Sequence, residues 1–235
     1  MLGNPAAKAD KGDIQVGDEM YEVKAGAGSV GGRFNSDKVT TALGGWKAWD
    51  KGLGEIAIAL GFGPVMVMGA HYALTSPLHN NNLSSWNWVE ALIASVPIGI
   101  LVMLIVWINQ FQDAPSDAAV GKNTWVVRTA VEDGWMRLEK PLSLYKQFMI
   151  EAFIAVGVIG VISFFTDYGT VYAFIALLPV ILVWKAFKMA DEWMIKWNNP
   201  DADRQKVPYE LLLVNVSTIG IHFLTGILLS VAYIL

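Results

Sequence analysis

No lysine or arginine interrupts five long apolar stretches, at roughly Ile56 to Leu74, Leu92 to Ile108, Phe148 to Phe165, Val171 to Trp184 and Leu211 to Leu235. A helix needs about 20 mostly apolar residues to cross the hydrocarbon core of a bilayer. With no water to pair them, backbone groups in that core must bond to one another, so stretches of this length are expected to span as helices. The fourth stretch is short, and Lys185 and Lys188 can extend it by snorkelling. The expected fold is an all-α polytopic bundle of about five spans.

The charges orient that bundle. Seven basic residues lie in residues 1–51, five in 110–147 and five in 185–210, which accounts for all 17. The connections near 75–91 and 166–170 and the C-terminus carry none. Cytoplasmic loops collect lysine and arginine, so the expected topology is N-in and C-out. Residues 1–51 read as a polar, glycine-rich cytoplasmic arm with a short helix from Ser36, and residues 52–235 as the membrane domain. No apolar signal-type region is visible in the arm, so insertion is expected to rely on the internal spans.

Composition excludes several functions. The chain has 235 residues, of which 54% are hydrophobic and 16% charged, and a net charge of −4, which leaves no basic excess for a nucleic-acid backbone. Without cysteine there are no disulfides, thiolate nucleophiles or zinc-thiolate sites. There is no phosphate-loop or nucleophile-elbow motif, so nucleotide-driven pumps and serine hydrolases lack support.

Trp86, Trp88, Trp184, Trp193, Trp197 and Tyr145 fall near segment ends and read as interfacial anchors. Met189 to Trp197 reads as an amphipathic turn lying on the membrane surface. Gly61, Gly63 and Pro64 suggest close helix packing and a kink in the first span. His222, near Thr218 and Thr225, reads as an interhelical hydrogen-bonding group. His71 and Tyr72 fall at the outer end of the first span. Glu55 and Glu151 read as solvated or paired groups, with lining of a polar site as the alternative.

The second span runs into Asn109-Gln-Phe-Gln-Asp113-Ala-Pro-Ser-Asp117, then Gly121 and Lys122. If the helix continues, Asn109, Asp113 and Asp117 recur every fourth residue along one face. Two carboxylates at a membrane mouth repel one another, a cost that a divalent cation offsets. Mg2+ suits them because it keeps several waters and is held by one or two carboxylates together with substrate phosphates. Lys122 and Arg128 supply phosphate contacts. Pro115 is expected to kink or unwind the helix. An ordinary water-facing helix end with basic topology signals would read the same way.

Asn109-x3-Asp113-x3-Asp117 with Gly121-Lys122-Asn-Thr124 and Val127-Arg128 resembles the second aspartate motif of the UbiA-type intramembrane prenyltransferases. Gly52-Leu-Gly-Glu55 and Phe62-Gly-Pro64-Val-Met-Val-Met-Gly69-Ala-His-Tyr72 are similar to the segment before it in 1,4-dihydroxy-2-naphthoate polyprenyltransferases of menaquinone synthesis. Gly28 to Val39 weakly resembles the loop after that family's first motif. The resemblance covers roughly 52–235 and is strongest to about 130. It implies Mg2+-dependent transfer of a polyprenyl group from an allylic diphosphate to 1,4-dihydroxy-2-naphthoate in the plasma or inner membrane, with the site facing the cytoplasm. Asp113 and Asp117 would be catalytic metal ligands supported by Asn109, with Asn109, Lys122 and Arg128 on the diphosphate.

The family has about nine helices and a first motif, Asn-Asp-x-x-Asp, which this sequence lacks, so the chain reads as a short or truncated member. Two rivals remain. One is a catalytically incomplete homologue that binds isoprenoid or quinone, or that is completed by a partner chain or dimer. The other is a small transporter, suggested by Asp, Asn and Pro at membrane depth.

Overall fold

The computed structural model describes residues 13–16, 19–22, 53–75, 86–119, 121–132, 135–203 and 206–235, so Ser36 and most of the arm lie outside the described residues. Among the described residues, five helices are long and apolar enough to cross a membrane: Gly54–Thr75 (α1), Trp88–Ala119 (α2), Glu139–Ile162 (α4), Val171–Trp197 (α5) and Val207–Ile234. The last comprises a short helix Val207–Glu210 (α6) and Leu212–Ile234 (α7), and a short helix Trp125–Ala130 (α3) follows α2. Four short strands add a minor element that the apolar pattern does not announce. Asp13–Val16 (β1) pairs antiparallel with Glu19–Glu22 (β2), and Val131–Glu132 (β3) with Trp135–Met136 (β4). A parallel bridge from β1 to β4 joins the two pairs.

The centre of the bundle is α2, packed by α1, α4 and α7. Half of its apolar window is buried, against 6% for α1, so α1 is a peripheral helix with most of its surface outward. Beneath the polar end of α2, Trp107, Phe111, Trp193 and Trp197 form a buried aromatic layer, in which Trp193 stacks on Trp197 and meets Phe111 edge-on. Two buried indole edges are satisfied by backbone: Trp107 Nε1 donates to the Pro141 carbonyl at 3.2 Å and Trp193 Nε1 to that of Val207 at 2.7 Å.

This layer corrects two expectations. Met189 to Trp197 is not a separate surface turn but the end of α5, with its Trp face turned into the core. Trp193, Trp197 and Tyr145 are buried rather than interfacial; the Tyr145 hydroxyl pairs with Thr218 Oγ1 at 2.6 Å. Trp88 and Trp184 are exposed, as anchors should be. The interhelical bond expected of His222 is thus made by Thr218, while His222 Nδ1 and Thr225 Oγ1 are buried without a partner among the described residues.

Pro64 perturbs α1 by widening it. Proline offers no N–H to Leu60 and its ring crowds that carbonyl, so Gly61–Val65 forms a π-helical turn in which the Met66 N–H reaches the Gly61 carbonyl. Pro97 and Pro115 sit within α2, which remains helical from Trp88 to Ala119, so of the kink or unwinding expected at Pro115 the unwinding does not occur. The α1–α2 crossing depends on two glycines. A Cβ on Gly99 would lie 2.5 Å from the Ala59 carbonyl oxygen, and one on Gly63 would lie 2.8 Å from the Gly99 Cα. Gly99→Val should therefore lower thermal stability in detergent by about 2 kcal/mol or more, because backbone cannot yield as a side chain can. Gly61→Ala, whose Cβ would meet nothing within 4 Å, should leave the melt unchanged.

Candidate functional site

The continuous α2 helix places Asn109, Asp113 and Asp117 one turn apart, but they do not share one environment. Four residues advance an α-helix by about 40° beyond a full turn, so the row drifts around the axis. At its start, Asn109 is turned toward α7, where its Oδ1 accepts from Asn215 Nδ2. Asp113 is exposed. At its end, Asp117 is buried against the bundle.

Asp117 and Lys122 are joined by the way the helix stops. Gly121 adopts φ +75°, a left-handed conformation that costs glycine little. The chain turns back so that the Lys122 N–H donates to the Asp117 carbonyl at 2.8 Å, a Schellman-type closure. Lys122 Nζ then reaches both Asp117 carboxylate oxygens, at 3.1 and 3.0 Å. The carboxylate is mostly covered while the lysine side chain is 46% exposed, so the pair presents its positive end outward. Thr124 caps the next helix by accepting from the Val127 N–H at 3.3 Å, and Arg128 stands exposed in the last turn of α3.

Glu55 fixes this loop against the bundle. Only 2% exposed, it lies in the first turn of α1, and its Oε1 accepts from Gln110 Nε2 at 2.7 Å and from the Trp125 N–H at 3.0 Å. The second bond takes up a backbone donor in the first turn of α3, where helices leave N–H groups without an intrahelical acceptor. One carboxylate thereby ties α1, α2 and the Lys122 loop together. Glu151 instead bonds Gln147 on its own helix.

Two polar partners at this end are missing from the sequence reading, Gln110 and Asn215. Asn215 carried a signal, being an amide inside the apolar final stretch, where an unpaired polar group is costly. Gln110 carried none beyond its neighbour Asn109. One oxygen of each, Gln110 Oε1 and Asn215 Oδ1, is buried without a partner among the described residues.

Among the described residues no three His, Asp or Glu side chains gather as a metal cage. The available donors are the two carboxylates, Asp113 exposed and Asp117 paired with the half-exposed Lys122. Such a set suits a hard cation that takes its other oxygens from water and substrate phosphate, as Mg2+ does, and not a metal that needs a full protein cage.

The sequence profile of the UbiA prenyltransferase family matches residues 50–206, most of the membrane domain and the whole Asn109 to Arg128 segment. The chain belongs to the UbiA prenyltransferase family. The chain is also 25% identical over 182 residues to a 2-carboxy-1,4-naphthoquinone phytyltransferase of Synechocystis sp., an alignment covering 77% of this chain and 49% of that protein. It thus spans about half the length of that curated relative. No solved structure matches the chain significantly. The five apolar helices and UbiA membership together make this an integral membrane protein.

Proposed function

We propose that this UbiA chain takes part in Mg2+-dependent transfer of a polyprenyl group from an allylic diphosphate to an aromatic acceptor, with 1,4-dihydroxy-2-naphthoate as that acceptor and the polar end of α2 in the cytoplasm. The observation that carries the reading is the Gly121 turn, which sets a basic side chain on a helix-end carboxylate one turn from a second, open carboxylate. The naphthoquinone ring in the relative's name supports the choice of acceptor.

Asp113 and Asp117 would hold Mg2+, which supplies charge neutralisation on the diphosphate. Lys122 exchanges its bonds to Asp117 for phosphate oxygens, and Arg128 adds a second cationic contact. As the carbon–oxygen bond breaks, its electron pair leaves with diphosphate and the apolar bundle shields the allylic carbocation from water. The ring carbon bearing the carboxylate bonds to the allylic carbon, and carbon dioxide departs, leaving its electron pair to restore the ring. The product is a prenylated naphthohydroquinone.

A second reading is favoured by the exposed surface of α1 and by the relative's greater length: catalysis requires a partner segment supplying the remaining helices. Proteoliposomes containing the chain, a polyprenyl diphosphate, the naphthoate and Mg2+ should yield the prenylated product by mass spectrometry. Product that forms only after co-reconstitution with the N-terminal half of the relative selects the second reading. No product in either preparation, with the chain correctly inserted, overturns both.

A further inference from the structure

A cavity of about 840 Å³ lies between α1, α2 and α7, bounded by His71, Glu90, His222 and Tyr233 and otherwise mainly apolar, with Ile98 and Phe223 in its wall. Glu90 and Asp113 are 23 residues apart on one helix, so about 35 Å of α2 separates this cavity from the carboxylate pair at a rise of 1.5 Å per residue. The two sites sit at opposite ends of the bundle.

The polar groups of the cavity have a defined character. His71 Nδ1 accepts from Trp86 Nε1 at 2.7 Å, which leaves Nε2 to carry the proton of the neutral ring. Tyr233 OH and His222 Nδ1 are buried with no partner among the described residues. They lie eleven residues apart, three turns along one face of α7. The one carboxylate is already engaged, Glu90 accepting from Asn87 Nδ2 at 2.7 Å and from the Gly169 N–H at 3.1 Å. Among the described residues no lysine or arginine lines the space. Neutral donors in an apolar cavity, with no cation to offset a negative head, suit an uncharged ligand bearing hydrogen-bond acceptors. Phosphates and carboxylates are disfavoured for the same reason.

We propose that this cavity binds a neutral, carbonyl-bearing prenyl lipid of the quinone class, with a ring carbonyl accepting from Tyr233 or a histidine and the prenyl tail along the apolar wall. The neutral acceptor chemistry stands on the cavity alone; the choice of a prenylated quinone rests on the function proposed above, whose product is the reduced form of such a ring.

The purified chain in nanodiscs, titrated with a 1,4-naphthoquinone carrying two isoprene units, tests this through quenching of tryptophan fluorescence, since Trp86 contacts His71. Saturable quenching is expected despite the excess of phospholipid ester carbonyls, with no saturation by the matching isoprenoid hydrocarbon. The double variant His222→Leu/Tyr233→Phe should weaken binding at least tenfold. Gly226→Leu, which projects a side chain toward Ile98 without removing a polar group, should do the same if the cavity is the site. Asp117→Asn should bind as the parent does, which separates this site from the transfer chemistry. Unsaturable partitioning, equal affinity in both cavity variants, or equal binding of the hydrocarbon overturns the proposal, whether or not prenyl transfer is detected.

Discussion

Asp117→Asn is expected to lower prenyl transfer by about a hundredfold or more, since it removes both a charge proposed to hold Mg2+ and the partner that positions Lys122. The fold should survive. The Schellman closure uses the Asp117 backbone carbonyl and Gly121, neither of which the substitution touches. Asp113→Asn, at an exposed position, should produce a comparable activity loss with an unchanged melt. Steady-state rates over a Mg2+ series, beside thermal melts in detergent, distinguish the two contributions. If both variants retain parental rates, the carboxylate pair has no role in transfer.

The second large effect falls on stability. Glu55→Ala removes the acceptor shared by the Gln110 amide and the Trp125 N–H in a partly buried place. A hydrogen bond to a charged group contributes about 1.5–3 kcal/mol, so a loss of about 2 kcal/mol or more is expected when both are removed. The 121–128 segment should become more sensitive to protease, because its tie to α1 is gone. Glu55→Gln retains an oxygen acceptor and should recover most of the stability. If the alanine variant melts with the parent, the buried carboxylate does not hold these three elements together.

Much of this was legible from sequence because bilayer crossing imposes a simple requirement. Uninterrupted apolar runs located all five spans, and the Asn109, Asp113, Asp117 row did prove helical. The errors came where burial depends on tertiary neighbours. Tyr145, Trp193 and Trp197 lie near segment ends, where a wet interface and a buried aromatic layer have the same local sequence. The four-residue row suggested a common face, but drift around the axis gives Asn109 to α7 and Asp117 to its own loop. Glu55 was recognisable as a charged group at a span end; that it serves as an acceptor for two other elements required the contacts. Strands of two to four residues have too little periodicity to be read beforehand.

The π turn around Pro64 also changes the phase of α1. Sixteen residues separate Glu55 from His71, and in an unbroken α-helix they would point about 160° apart. A π turn accommodates one extra residue, which reduces the offset to about 60°. Both therefore face α2, one meeting Gln110 and the other bordering the cavity at the far end. The π turn at Pro64 thus acts as a one-residue spacer that lets a single helix contribute to two sites at opposite ends of the bundle.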